Sequence, residues 1–378
     1  MSDLTSPAGP PAEITHLVRE RTEARARHDW PRADALKAQI EAAGWRVVDR
    51  GSRTSVSAAA PATLDVDGEI RYGAASAVPS LLDSPATVAW TVVVPASEQP
   101  ERVSRLLTAL RVHAPAGMQV VVVANDPSDA QAAALAAGAP DRAAIAGSLP
   151  EVLRTSTRLG YAAALNIALH RAAGEFVLLA DATAWPAGDA LSPLAAALQD
   201  PDVAAAGAFG LYSAAAGPIR PGALSREPAA AEDAGEGTGS AAAAGAVTAG
   251  ATATATATTE ATALEGAWLA FRRSDYRDLG PLDEHFVTPA WLDVWWALRL
   301  RAGEEPEGAE YVETAETDGS DEPADVEHEI PMPKPRRAVR VALPLERDEV
   351  GWPPDRVRLN RRNMYRVLDR FGWREDLA

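Results

Sequence analysis

From Val88 onward the chain alternates short apolar runs with stretches of helical spacing. Val88–Pro95 reads VAWTVVVP, Met118–Ala124 reads MQVVVVA, and Gly174–Pro186 reads GEFVLLADATAWP. Uninterrupted apolar runs of this length, bounded by Gly, Pro and Asp, predict strands buried on both faces. Glu151–Arg154 and Val203–Leu211 predict two more. Between them, Val103, Leu106, Leu107 and Leu110 repeat at helical spacing behind Pro100. An alanine-rich helix is expected after Asn125-Asp126-Pro127, and another over Gly160–Ala173, with Ala164, Leu165, Ala168 and Leu169 inward. Strands alternating with helices in this way predict an α/β fold: a doubly wound, mostly parallel sheet with helices on both faces. Leu292–Arg301 predicts a further helix, Arg336–Leu345 a last strand, and Asn360–Phe371 a C-terminal helix with a basic face.

The first part of the chain has a different rhythm. Residues 1–12 are rich in Ser, Pro and Gly and are expected to be disordered. Residues 13–55 predict a small helical module. Ile14, Leu17 and Val18 share one helix face, and Leu36, Ile40 and Ala43 recur in a second helix. Asp29 or Trp30 is placed at the second helix's cap, with Pro31 in its first turn and Gly44 as its stop. Residues 56–87 read as a linker with one short strand or hairpin near Ala62–Tyr72. The ordered region 88–378 carries two low-complexity insertions. Residues 229–262 are Ala, Thr and Gly with little aliphatic bulk, and residues 304–335 contain an acidic run. Neither buries enough surface to fold alone, although the alternating Ala-Thr tract is compatible with an edge strand.

Composition narrows the chemistry. With no cysteine, the chain has no disulfide, no thiolate metal site and no cysteine nucleophile. The net charge of −17 is concentrated: Glu304–Glu329 holds twelve Asp and Glu and no Lys or Arg, leaving about −5 for everything else. The total charge therefore says little about the partner of the folded part. No apolar run is long enough to span a bilayer, and the N-terminus lacks a signal pattern. A cytoplasmic location is expected, with peripheral membrane contact left open.

The strand end at Asp181 is the first candidate for chemistry. Ligand sites of open α/β sheets lie at the carboxyl ends of strands. A plain strand end or helix cap is the alternative reading for this aspartate.

Four stretches together resemble an inverting family 2 glycosyltransferase of the GT-A fold. They are VVVPASEQPERVSRLLTAL, RLGYAAALNIAL, GEFVLLADATAWP, and EGAWLAFRRSDYRDLGPLDEHF with WLDVWWALRLRAG. The resemblance implies a nucleotide-sugar donor, an Asp-x-Asp motif that holds Mn2+ or Mg2+ against the diphosphate, and a general-base aspartate on the acceptor side. Asp293 matches the base and Asp181 the first carboxylate of the metal motif, with Thr183 where the last should be. Ala124 and Asn125 stand where relatives have the aspartates that read the nucleotide base, and Asp126 is expected to have shifted into that role. Gly160, Tyr161 and Asn166 match the helix-start motif, where Arg158 replaces an asparagine and is expected near the diphosphate. Asp348 stands where relatives often have a metal-side histidine. Leu292 replaces the glutamate that usually precedes the base. Asp283 reads as a turn brace. Trp291, Trp295 and Trp296 read as core and groove packing, and Arg272 and Arg273 as surface charges or acceptor contacts.

The N-terminal helices, with Arg25, Asp29-Trp30, Arg32-Ala33-Asp34, Leu36, Ile40 and Gly44, resemble the C-terminal module of cysteinyl-tRNA synthetases, and also the hairpin of excinuclease subunits. In the synthetases that module contacts tRNA. Here nine basic residues stand against eight acidic ones between residues 1 and 55, which predicts protein docking in preference to nucleic acid binding. His16 and His28 read as surface residues.

The expected function is inverting transfer of a sugar from a nucleotide-sugar to a glycan, lipid or protein acceptor that the sequence does not identify. The alternatives are a transferase-like domain that binds or scaffolds without catalysis, and RNA binding through the hairpin.

Overall fold

The computed structural model describes residues 10–27, 29–50, 53–58, 61–115, 117–137, 150–213, 224–226, 257–303, 334–348 and 357–377. The disorder expected for residues 1–9, for 229–256 and for 304–333, and the reading of His28, lie outside them. The chain divides into two compact units, Met1–Gly73 and Ala74–Ala378.

In the first unit, α1 (Ala12–Ala26) and α2 (Trp30–Ala42) pair through Ala24, Ala33 and Leu36, with Leu17 against them. The cap of α2 is Asp29, whose side chain accepts the Arg32 amide at 3.1 Å, and Pro31 sits in the first turn where no N–H is needed. Gly44 follows the helix at φ +80°, the left-handed conformation that ends helices. Two hairpins come next: β1 (Trp45–Arg50) with β2 (Arg53–Ala58), then β3 (Thr63–Val66) with β4 (Glu69–Tyr72).

The second unit is mixed α/β with a largely parallel centre, as expected. Its first elements are β5 (Val88–Pro95), α3 (Pro100–His113), β6 (Met118–Ala124), α4 (Asp129–Ala137), β7 (Glu151–Thr155), α5 (Tyr161–His170) and β8 (Gly174–Ala180). Strands β8, β5, β6 and β7 pair in parallel in that order. Val92, Val94, Val120, Val122 and Leu178 pack with Val103, Leu106 and Leu110 of α3 in one core. Val93, Val121 and Val177, one residue out of phase, are equally buried. Both faces of each strand are covered, which is why these strands read as unbroken apolar runs.

Beyond β8 come β9 (Ala184–Pro186), α6 (Leu191–Leu198), β10 (Val203–Gly207), β11 (Gly210–Ser213), β12 (Leu224–Ser225), β13 (Thr258–Ala261), β14 (Ala263–Leu264) and β15 (Trp268–Arg272). The chain continues through α7 (Arg273–Leu279), α8 (Leu292–Ala302), β16 (Arg337–Val341), β17 (Leu345–Arg347) and α9 (Val357–Phe371). Strand β15 lies antiparallel between β8 and β10, a pairing the periodicity did not indicate. The end of the Ala-Thr tract is structured after all: β13 pairs antiparallel with β16 at the sheet's edge. Strand Val203–Leu211 is really two strands, β10 and β11.

Arg272 and Arg273 are neither surface charges nor acceptor contacts. Arg272 donates to the carbonyls of Val203, Leu198 and Asp200, and Arg273 to those of Leu81, Ala172 and Ser84. Each ties off carbonyls that irregular chain would leave unpaired. Trp295 and Trp296 are core residues, packed with Phe271, Tyr276, Phe286 and Phe371. No helix among the described residues is long and apolar enough to cross a membrane.

Candidate active site

The turn after β8 is held by its own aspartate. Asp181 Oδ1 accepts the Thr183 amide at 2.8 Å, closing an Asx turn. The Asp181 amide donates to Ala267 O at 2.9 Å, which joins the turn to the segment leading into β15. Ala184 then opens β9, which pairs antiparallel with β17 and sets Arg347 opposite Ala184. The Asp348 amide donates to Thr183 O at 2.8 Å. Three separate stretches, 181–184, 265–267 and 347–348, are thus stitched together by backbone hydrogen bonds.

Asp293 joins them from α8. Its Oδ2 accepts the Gly266 amide at 2.7 Å and its Oδ1 accepts its neighbour Val294's amide at 2.9 Å. The helix entry is unusual. Trp291 caps it with φ +68°, a left-handed conformation that costs a non-glycine residue about 1–2 kcal/mol. The loop before it is pinned by the buried Asn363 of α9, whose amide donates to Thr288 Oγ1 at 3.0 Å and Ala290 O at 2.9 Å. Backbone strain of this kind persists only where surrounding contacts over-determine it.

Burial is the main reason the Asp293 carboxyl is pushed up to about 6, and the Glu265 charge adds to it. The Gly266 and Val294 amides pull the other way without cancelling burial. Tyr161, first residue of α5, senses both aspartates. Its phenol is pushed up by burial, then by Asp181, then by Asp293. The two carboxylates proposed from the sequence are linked through neighbouring residues, Asp181 by its amide to Ala267 O and Asp293 by its Oδ2 to the Gly266 amide.

The other expected site residues have different surroundings. Asn166 is fully buried. Its amide donates to Leu282 O at 2.9 Å and Glu284 Oε1 at 3.3 Å, and its carbonyl accepts from Leu282 N at 3.0 Å and the Tyr276 hydroxyl at 3.1 Å. No donor or acceptor is left for a nucleotide, so Asn166 clamps the 282–284 segment onto α5. Gly160 serves the same packing: a Cβ there would meet Val287 Cα at 3.3 Å, and the Tyr161 and Ala162 amides donate to the Val287 and Phe286 carbonyls. Asn125 pairs with the Leu159 backbone, donating at 3.0 Å and accepting at 2.9 Å, and also accepts from Thr155. Asp126, exposed at φ +46°, and Arg158, paired with Glu98 at 3.5 Å, are open to solvent beside it. Asp283 is the expected brace, accepting the His285 amide at 2.9 Å and facing Arg366 at 3.5 Å.

The residues present do not fit a divalent metal. Thr183 offers a neutral hydroxyl where the motif needs a carboxylate. The Asp348 carboxylate, expected as a ligand, is taken by Arg102 Nε at 2.9 Å and Arg105 Nη1 at 3.3 Å. Asp181 remains as a carboxylate with one oxygen held in its own turn. Among the described residues no group of three or more His, Asp or Glu is placed to hold a metal ion.

Two residues at the centre were not singled out from the sequence. Glu265 is buried, with Oε2 bonded to Arg347 at 2.9 Å and Oε1 bonded to Arg226. Gly266 follows it, and a Cβ there would sit 2.9 Å from Asp293 Cβ. The Glu-Gly pair just before the apolar run Ala267–Phe271 is the only local signal, and it is a weak one.

The model for Glycosyl transferase family 2 matches residues 91–247, and that for the Cysteinyl-tRNA ligase anticodon binding domain matches residues 8–56. Both resemblances read from the sequence hold over these spans. No curated protein matches the chain. Among solved structures, GalNAc-T7 with UDP, GalNAc and Mn2+ is 13% identical, covering 75% of this chain and 48% of its own, at TM-score 0.47. The mannosyltransferase PcManGT from Pyrobaculum calidifontis, in complex with GDP-Man and Mn2+, is 20% identical, covering 60% and 55%, at 0.37. S. aureus TarS 1-349 in complex with UDP-GlcNAc is 17% identical, covering 56% and 54%, at 0.33. The chain spans about half the length of these solved chains.

Proposed function

We propose that the larger unit is a glycosyltransferase that moves a sugar from a nucleotide-sugar to an acceptor hydroxyl with inversion at the anomeric carbon. The observation that carries this reading is that adjacent residues join the two aspartates: Ala267 O accepts the Asp181 amide at 2.9 Å and the Gly266 amide donates to Asp293 Oδ2 at 2.7 Å, with Asp293 raised to about 6. A base whose pKa lies just below the working pH is ionised when needed and still accepts a proton readily. In the step proposed, Asp293 takes the proton of the acceptor hydroxyl while that oxygen attacks the anomeric carbon. The bond from that carbon to the diphosphate oxygen breaks, and its electron pair leaves with the nucleoside diphosphate. The Gly266 and Val294 amides hold the carboxylate in position during the transfer. The donor is proposed to lie along the Asp181–Thr183 turn, with Asp126 and Arg158 at the nucleotide end, and the acceptor on the α8 side.

The N-terminal unit is proposed to dock a protein, since its charges are balanced and offer no phosphate footprint. A non-catalytic reading draws on one observation, that Thr183 and the arginine-paired Asp348 leave the metal motif incomplete. The two readings separate in one assay. Donor turnover that disappears in Asp293→Asn, while nucleotide binding persists, supports transfer. Binding without turnover in the parent protein supports the alternative.

A further inference from the structure

The leaving nucleoside diphosphate needs positive charge near the Asp181–Thr183 turn, and carboxylates alone do not supply it. Two arginine clusters flank that turn. On one side Asp348, whose amide is bonded to Thr183 O, faces Arg102 and Arg105 together. On the other, the buried Glu265 is bonded to both Arg226 and Arg347, and Arg347 stands opposite Ala184 in the β9–β17 pair. Each cluster sets two guanidinium groups against one bonded carboxylate. Arg347 is also fixed on a second side, with its guanidinium 4.3 Å from the Phe209 ring centroid. A guanidinium held in this way offers directed N–H groups to phosphate oxygens without further ordering.

We propose that guanidinium groups, Arg347 foremost, meet the charge of the leaving diphosphate in place of a divalent metal. This rests on the donor reading above and replaces only its metal. Two departures from the expected metal set, at Thr183 and at Asp348, change the charge in the same direction. Thr183 removes a carboxylate, and Asp348 carries two basic partners instead of a free ligand oxygen. The arrangement is one of charge substitution: fewer anions at the turn and more fixed cations beside it. Glu265 orients Arg347 and Arg226, and is a positioning residue in this scheme.

The test is calorimetric titration of the full-length chain with UDP and with GDP, in EDTA and again in Mn2+. The expected result is binding of at least one nucleotide whose affinity changes less than threefold between the two conditions. Arg347→Met is expected to weaken that binding at least tenfold, and Arg347→Lys to recover part of the loss. Arg226 has a side chain 70% exposed, so Arg226→Met keeps the fold and is expected to weaken binding about threefold. Binding that needs Mn2+ overturns the proposal and leaves the donor reading intact. Metal-independent binding that neither arginine variant alters also overturns it. Absence of binding in either condition overturns both.

Discussion

The Gly266 amide donates to Asp293 Oδ2 at 2.7 Å, and no side chain fits between the two residues. A Cβ on residue 266 would stand 2.9 Å from Asp293 Cβ and 3.4 Å from Oδ2. Gly266→Ala is therefore expected to shift the carboxylate by several tenths of an ångström while leaving its chemistry unaltered. Overpacking of this kind costs about 1–3 kcal/mol in stability. Displacement of a catalytic group has a larger effect on rate, and turnover should fall roughly 100-fold. Steady-state kinetics with saturating donor checks this. A drop in kcat with nucleotide affinity held within threefold is the expected pattern, and unchanged kcat would remove Asp293 from the chemistry.

Asp293 makes a pH prediction with a definite sign. Its carboxyl is raised from 3.8 to about 6, burial being the main cause. The base must be ionised to act, so kcat/KM should fall tenfold per pH unit below about 6. The linkage runs the other way for stability. Between about 4 and 6 the folded protein holds a proton that the unfolded chain has released, so this group's contribution is present at low pH and lost as pH rises through 6. The full shift corresponds to roughly 3 kcal/mol. Asp293→Asn should abolish turnover at every pH. Its melting temperature relative to the parent should climb between pH 4 and pH 7. A flat difference across that range would mean that the fold does not raise the Asp293 carboxyl.

Much of the fold could be read along the chain, and the reasons are physical. Strands β5, β6 and β8 are covered on both faces, so their burial appears as unbroken runs such as Val92-Val93-Val94. Strand β15 was missed because Trp268–Arg272 is short and runs through Arg272 straight into Arg273 of α7, two arginines whose tertiary role is to bind carbonyls. Strand β13 has almost no hydrophobic signal, and it exists because β16 offers an edge to pair with. At the site, Asp181 is proposed from its place at a strand end and Asp293 from the family resemblance, and the structure joins their segments through Ala267 and Gly266. Asn125 and Asn166 fit the expected pattern in type, yet they face backbone groups of this chain. A motif fixes which side chain is present, whereas its partner is set by how distant segments pack. Glu265 and Arg347 lie 82 positions apart, so no local pattern joins them.

Asn166 gives a direct way to separate clamp from ligand. Replacement by Leu would leave the Leu282 amide and carbonyl and the Tyr276 hydroxyl unpaired in the core. Each buried group so orphaned costs about 1–3 kcal/mol, so the variant should lose several degrees of melting temperature or fail to accumulate. Asn166→Ala is the milder probe, since it adds no bulk and no buried charge beside Glu284. Melting temperature should fall, and nucleotide affinity, measured at a temperature where the variant is folded, should stay within threefold of the parent. A tenfold loss of affinity with unchanged melting temperature would return Asn166 to the nucleotide site.

The N-terminal unit tests whether a family match carries its relative's ligand with it. Residues 8–56 match an anticodon-binding domain, but the basic and acidic residues of 1–55 nearly cancel. Nucleic acid binding draws most of its affinity from uncompensated Lys and Arg, and releases counterions in proportion to the phosphates contacted. The full-length chain is therefore expected to show no tRNA binding at micromolar concentration in about 100 mM salt, and no retardation that salt reverses. The hairpin itself depends on its cap. Asp29→Ala removes the acceptor of the Arg32 amide and should destabilise this unit by about 1 kcal/mol, readable as faster amide exchange in α2. Loss of binding to a protein partner in that variant would place the docking face on the paired helices. Tight, salt-sensitive tRNA binding by the parent would assign the unit to RNA instead.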